Sequence, residues 1–365
     1  MRADIPVGTI TARAFTVPTD APEADGTYAW NDTTLIVVRI QAGGHTGLGY
    51  TYTGRAAASL VTGTLADTLQ GRSALDIQGC HRLMVNAVRN LGRSGLAATA
   101  ISALDAALWD LKAKLFSVPL ATLLGRARTL VPIYGSGGFT SYDDTQLARQ
   151  LSGWVEREGC RAVKMKIGSK PEDDSRRVRV AKEAIGDASL FVDANGAYSV
   201  KQSLRMAETF AREADVAWFE EPVSSDDLEG LAQVRSAAPP CMDIAAGEYS
   251  YNCDDVRRML TSRAVDVQQA DASRCLGITG FLQAGALCDA HHIDLSGHCA
   301  PALHLHAACA VPRLRHLEWF HDHVRIERML FDGAPEAKNG VIAPDLSRPG
   351  LGLEFKEQDA ERFAL

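Results

Sequence analysis

Seven strand-like runs in this chain end on a polar residue at nearly constant spacing, and that recurrence restricts the fold more than any other feature. Counting from Lys166 through Asp193, Glu220, Glu248, Asp271, His298 and Glu318, the steps are 27, 27, 28, 23, 27 and 20 residues. A strand, a loop and a helix together fill such a step, since a crossover between parallel strands needs about a dozen residues beyond the strand. A polar residue at the C-terminal end of each strand describes a (β/α) barrel seen from its active face. The first run, Ala162 to Gly168 (AVKMKIG), alternates, with Lys164 and Lys166 on one face and Val163, Met165 and Ile167 on the other. Burying two lysines there is costly, because each loses hydration and raises the free energy of its neighbour's charge. A solvated edge strand is the ordinary setting for such a pair; the six runs that follow argue for a barrel interior.

Ahead of the barrel the chain changes character. Thr9 to Val17 alternates, and Thr33 to Ile40 (TTLIVVRI) reads as a buried strand followed by a turn at Ala42-Gly43-Gly44, so residues 1 to about 55 are expected to be β-rich. Between these runs Pro18 to Asp32 is polar, with Tyr28 and Trp30 embedded, and its composition predicts a loop placed to act as a lid. From about 56 to 125 the period becomes helical. Gly95 to Lys114 carries apolar residues at i, i+3 and i+4, and Val118-Pro119 stops it. Val131 to Gly138 opens the barrel, with Ser136 near its end. Helices are expected over 143–157, 171–185, 200–214, 228–236, 254–262, 278–290 and 301–310, with Ser199 and Asp226 at N-cap positions. Beyond Glu318 the chain reads as loop, and Phe355 to Leu365 is expected to return to the first domain. The expected division is an α+β capping domain (1–128), the barrel (129–325) and a C-terminal segment (326–365).

Composition enters by exclusion. A formal charge of −7 argues against nucleic acid or an anionic membrane as the main partner. No run is apolar and long enough to span a bilayer, and MRADIPVGTI has no signal-peptide core. Eight cysteines with no CxxC pattern suit a reducing, cytoplasmic setting.

Asp193, Glu220 and Glu248 come from three successive strand ends, where a barrel makes side chains converge. Three carboxylates at one point repel unless a cation lies among them. All-oxygen donors suit a hard divalent ion, Mg²⁺ first, and disfavour zinc because neither His nor Cys joins the trio. Asp271 beside His298 would fix the imidazole tautomer and raise its basicity, making His298 a general base or acid. Lys166 is expected opposite, its pKa lowered by Lys164 and the cation, while Lys164 stays charged to hold a substrate carboxylate. Such a site abstracts the α-proton of a carboxylate and stabilises the enediolate on Mg²⁺. Glu318 could bond the same oxygen, although a barrel-end ion pair would account for it equally.

These residues carry a resemblance. Lys164-x-Lys166, Asp193-Ala-Asn195, Glu220-Glu221-Pro222, Gly247-Glu248, Asp271, Ser296-Gly-His298 and Leu317-Glu318 together resemble the enolase superfamily, specifically its mandelate racemase subgroup, over the whole chain. Sites of that superfamily pair a Lys or His base with Mg²⁺. The resemblance implies a (β/α)7β barrel under an α+β cap and a homo-oligomer. It also implies Lys166 and His298 as bases for opposite α-carbon configurations, and Glu318 as the partner of the enediolate oxygen. Asn195, Glu221 and Ser136 fall beside these positions. Residues 18–32 and 50–53 match the family's two specificity loops, which brings in Tyr28, Trp30 and Tyr50 as substrate contacts.

Polar loop walls suit a polyhydroxylated acid more than a phenyl ring. By analogy with members sharing this site, the expected reaction is dehydration of an acid sugar to a 2-keto-3-deoxy acid. A racemase or epimerase could use the same two bases, and a non-catalytic metal-binding scaffold would have no use for them. The pairs His291-His292, His304-x-His306 and His321-x-His323 are read as helical packing and solvent-exposed residues. The glycine clusters at 47–49 and 135–138 do not complete a phosphate-binding motif.

Overall fold

The computed structural model describes residues 4–365. Strands β4 (Val131–Gly137), β5 (Ala162–Lys166), β6 (Ser189–Asp193), β7 (Val216–Glu220), β8 (Asp243–Ala246), β9 (Val267–Ala270), β10 (Asp294–Gly297) and β11 (Leu314–Phe320) lie side by side in chain order. All are parallel, and β11 pairs back onto β4, which closes the barrel. The helices between them are Asp144–Glu158, Pro171–Ile185, Val200–Ala214, Leu228–Ala237, Cys253–Thr261, Gly277–His291 and Pro301–Ala310. Ser199 caps its helix by accepting from the Gln202 N–H, as its position predicts. For the next helix the cap is Asp227 instead of Asp226, because the Asp227 carboxylate reaches the Gly230 N–H.

The alternation of β5 survives folding. Val163, Met165 and Ile167 join the main apolar core, whereas Lys164 and Lys166 are buried on the opposite, inward face. By the same period of two, Tyr134, Phe191 and Trp218 point inward one step below Ser136, Asp193 and Glu220. Their rings pack together, with Trp218 stacked on Phe191 at 5.1 Å. This aromatic layer closes the barrel beneath the polar ring.

Ahead of the barrel, β1 (Ile10–Ala24), β2 (Ala29–Ala42) and β3 (His45–Tyr52) form an antiparallel sheet, with the nearly buried Leu96–Leu115 helix packed against it. The expected loop over Pro18 to Asp32 is instead the outer half of the β1–β2 hairpin. Pairing runs to Pro18 opposite Asp32, slips, and resumes at Glu23 opposite Trp30. Polar composition misleads here because the two strands satisfy each other's backbones while much of the hairpin projects from the cap's core. At the tip, Asp25 accepts from the N–H groups of Thr27 and Tyr28 at 2.6 and 2.7 Å. A Cβ on Gly26 would sit 2.5 Å from both Ile167 O and Ala194 O, so only glycine lets the tip rest on the ends of β5 and β6.

The segment after Glu318 is a loop only in part: β11 leads directly into the His321–Leu330 helix, and the expected irregular stretch, with its turns at Asn339-Gly340 and Pro349-Gly350, begins beyond it. That helix is the pedestal of the cap. Asp322 accepts from Thr33 Oγ1 at 2.6 Å, Glu327 accepts from Tyr50 Oη at 2.6 Å, and His323 stacks on Tyr52 at 3.5 Å between centroids. The C-terminal segment returns to the cap as expected, with Arg13 paired to Glu361 at 2.9 Å and Phe355 against Phe15. Among the described residues no helix is long and apolar enough to cross a membrane. The eight cysteines are free thiols.

Candidate active site

Parallel strands in register bring their last residues level. Lys166 pairs with Asp193 and Asp193 with Glu220 across β5, β6 and β7. Glu248 stands two residues past β8, and Asp271 and His298 one residue past β9 and β10. One oxygen each of Asp193, Glu220 and Glu248 lies within 4.8 Å of the others, and all three side chains are buried. Lys166 Nζ donates to Asp193 Oδ2 at 2.5 Å. Lys164 Nζ donates to Glu220 Oε1 at 2.5 Å and pairs with Glu318 Oε1 at 2.8 Å. Trp218 Nε1 donates to Glu220 Oε2, and the Asn195 N–H to Asp193 Oδ1.

The trio fits a hard divalent cation on its own chemistry. All its donors are carboxylate oxygens, and Glu248 Oε2 is buried without a hydrogen-bond partner. Burial and the neighbouring Asp193 push Glu220 up to about 8, whereas the surrounding cationic side chains outweigh burial at Asp193 and Glu248 and hold both below the ordinary carboxylate value.

On the next two strand ends, His298 Nδ1 meets Asp271 Oδ2 at 2.8 Å, and Asp271 Oδ1 accepts from the Ser273 N–H. The other ring nitrogen faces the cluster, 3.4 Å from Glu248 Oε2 and 3.6 Å from Glu318 Oε2. Burial disfavours the imidazolium, but Glu248, Glu318 and Asp271 outweigh it and hold His298 above its ordinary value. Burial also opposes the Asp271 charge, yet the bond from His298 and the Arg274 guanidinium keep it well below the usual carboxylate range. Burial and, as expected, Lys164 lower Lys166, but the protein's own carboxylates act the other way: Asp193, followed by Glu248 and Glu220, outweighs both and leaves it raised.

The structure brings Lys164, Lys166, Asp193, Glu220, Glu248, Asp271, His298 and Glu318 into one cluster. Ser136 joins it by donating to Glu318 Oε1 at 2.5 Å. Asn195 and Glu221 flank the triad with positive φ, and each keeps a buried side-chain oxygen without a partner. Trp30 lies on the hairpin, its Nε1 on Glu23 Oε2 at 2.8 Å and its ring edge-on to Phe139. Tyr28 stacks on it and is 70% exposed at the tip. Tyr50 does not serve as a substrate contact. It is fully buried in β3, with its hydroxyl committed to Glu327 and its ring against Phe331.

His304 and His306 are packed as expected but are buried, not exposed. They accept separately from the Ala272 and Ala121 N–H groups and so share no ion. Sequence reasoning missed Arg274, whose Nη1 lies 3.2 Å from Glu248 Oε1 and whose Nε lies 3.6 Å from Asp271 Oδ2. Its place three residues after Asp271, just past a strand end, was the available signal.

A parallel barrel whose strand ends carry a carboxylate triad, two lysines and a His–Asp pair, under an α+β cap, defines the enolase type of site. Residues 9–125 match the mandelate racemase / muconate lactonizing enzyme N-terminal domain, and residues 146–360 the enolase C-terminal domain-like family. The chain belongs to the mandelate racemase/muconate lactonizing enzyme family of the enolase superfamily, and it is an enzyme. It is 34% identical over 335 residues to L-talarate/galactarate dehydratase of Salmonella typhimurium, spanning 89% of this chain and 81% of that one. A mandelate racemase/muconate lactonizing enzyme-like protein from Rubrobacter xylanophilus superposes with a TM-score of 0.96 at 49% identity, over 99% of this chain and all of that one. A racemase from Streptomyces coelicolor, solved with bound magnesium, superposes at 0.92 with 31% identity, over 98% and 100% of the two chains. Further relatives are sugar-acid dehydratases and cycloisomerases.

Proposed function

We propose that this enzyme is a Mg²⁺-dependent hydro-lyase that dehydrates an acid sugar, an aldonate or aldarate, to its 2-keto-3-deoxy acid. The observation that carries the reading is the pair of independent proton-transfer groups, Lys166 and the His298–Asp271 dyad, both bordering the carboxylate triad. Asp193, Glu220 and Glu248 would hold Mg²⁺, which supplies positive charge to a substrate carboxylate as it gains electron density. Asp193, once committed to a cation, supports the Lys166 ammonium less, so the amine gives up its proton more readily. Lys164, pinned by Glu220 and Glu318, keeps its charge and faces the developing oxyanion. One of the two bases removes the C2 proton. The C3 hydroxyl then departs as water with a proton returned by Lys166 or His298, and the enol tautomerises. Asp271 holds the His298 proton on Nδ1, so that Nε2 is the exchanging atom. The family's dehydratases of talarate/galactarate, arabinonate and gluconate support the substrate class.

The second reading is a racemase or epimerase, favoured by the same two groups, since the opposite base could simply reprotonate C2. Proton NMR in D₂O, with Mg²⁺ and a panel of mono- and diacid sugars plus mandelate, separates them. Loss of the C2 signal with new C3 methylene resonances supports dehydration. Exchange at C2 without loss of water supports the alternative. No exchange with any acid, in protein shown to bind Mg²⁺, overturns the acid-sugar assignment and places the substrate outside this panel.

A further inference from the structure

We propose that His298 Nε2, Cys299 Sγ and a Glu318 carboxylate oxygen form a second, soft-metal site beside the triad, which takes Zn²⁺ and thereby blocks the histidine base. The three donors lie within 4.8 Å of one another and all three residues are buried. Cys299 Sγ is 3.3 Å from His298 Nε2 and 3.4 Å from Glu318 Oε2, and Nε2 to Oε2 is 3.6 Å. Tetrahedral zinc, with bonds of about 2.3 Å to sulfur and about 2.0–2.2 Å to nitrogen and oxygen, separates its ligand atoms by about 3.4–3.6 Å along each edge. The observed triangle matches such a face to within about 0.3 Å on every edge. Cys299 Sγ is within hydrogen-bond reach of both His298 Nε2 and Glu318 Oε2, which holds the three donors together before an ion replaces the thiol proton.

The backbone holds this arrangement. Cys299 and Ala300 are consecutive non-glycine residues with positive φ, of 50° and 39°. That turn is costly for residues with a Cβ. It folds the thiol back beside the preceding histidine. The Cys299 N–H donates to Glu318 Oε2 at 3.0 Å, and the Ala300 N–H to His323 Nδ1 at 3.1 Å. Phe139, Tyr142 and Phe320 pack around Cys299, and such an apolar shell limits water's competition for an ion.

The donor set is what separates this site from the triad. A sulfur, an imidazole and one carboxylate select a borderline-soft ion, whereas three carboxylates select a hard one. Binding is balanced simply. The Sγ–Zn bond forms as the thiol proton leaves to solvent, and Nε2 donates its lone pair while Nδ1–H stays on Asp271. With that lone pair engaged, Nε2 cannot accept a substrate proton. The inhibitory consequence rests on the proposed role of His298, but the site itself does not.

The test uses the full chain, stripped of metal and then saturated with Mg²⁺. Co²⁺ added to the wild type should give the near-ultraviolet sulfur-to-cobalt charge-transfer band at one equivalent per chain, and Zn²⁺ should bleach it. The band should vanish in both C299S and C299A, each checked for folding by circular dichroism. X-ray absorption at the zinc edge of the wild type, loaded with one equivalent, needs no variant and should show a single sulfur at about 2.3 Å. A sulfur-free zinc shell, no cobalt band in the wild type, or an undiminished band in C299S overturns the site. A band that forms normally while α-proton exchange proceeds undiminished in zinc-loaded wild type overturns the inhibition and leaves the site standing.

Discussion

His306 joins three parts of the chain, and replacing it with glutamine tests how buried imidazoles set the acid limit of this fold. It lies in the Pro301–Ala310 helix, 2% exposed. Its Nδ1 accepts from the Ala121 N–H, in the first turn of the Leu120–Leu124 helix, at 3.0 Å. Its ring also bonds the Leu351 backbone in the C-terminal segment. Burial, only partly offset by that bond, pushes the imidazole down from 6.5 to about 4. Protonation would both charge a buried ring and remove the acceptor that Ala121 needs.

Between those two values the unfolded chain holds a proton that the native chain does not, so stability falls as pH drops through 6.5 and keeps falling until about 4. From pH 8 to pH 5 this one residue should remove about 2 kcal/mol. His304, His316 and His323 are lowered by burial in the same way, but they are common to wild type and variant and cancel in the difference. His306→Gln keeps an amide oxygen for Ala121 and an amide N–H for Leu351 without titrating. In urea unfolding followed by tryptophan fluorescence, the wild type's advantage over the variant should shrink by about 2 kcal/mol between pH 8 and pH 5. An advantage unchanged over that range would refute the claim that this imidazole is neutral in the folded state.

Three further outcomes are expected. Asp271→Asn should lower turnover by about 10²–10⁴-fold and shift the pH–rate profile, because His298 loses the carboxylate that fixes its tautomer; an unchanged profile would remove Asp271 from the mechanism. Gly26→Ala should raise KM far more than it lowers the thermal midpoint, since its Cβ meets two carbonyl oxygens at 2.5 Å and must lift the hairpin tip off β5 and β6; an unaltered KM would mean that the tip does not govern access. Mg²⁺ at about 100 times its Kd should stabilise the metal-stripped protein by about 2.7 kcal/mol. An Asp193→Asn variant that gains as much would exclude the triad as the binding site.

Much of the site was legible because a barrel turns spacing in sequence into position around a ring. Once Lys166, Asp193, Glu220, Glu248, Asp271, His298 and Glu318 fall at strand ends, their convergence needs no further information. Period-two alternation likewise assigns Lys164 and Lys166 to the inside from the local pattern alone. Composition failed where tertiary pairing overrides it. Pro18 to Asp32 is polar yet paired as a hairpin, and the stretch after Glu318 becomes the helix that supports the cap. Tyr50 reads as a loop aromatic and proves to be core, because the fate of its hydroxyl depends on Glu327, 277 residues away.

The sequence by itself determined the barrel, the cap and the order of chemical groups, since each follows from local period and regular spacing. Only the tertiary structure decided the balance of charge: Asp193 raises Lys166 despite Lys164, and Arg274 bridges Glu248 and Asp271. It alone also set Cys299 against His298 and Glu318. Those outcomes depend on distances of a few ångströms between side chains far apart in the chain, within a low-dielectric interior where small changes of separation decide which charge prevails.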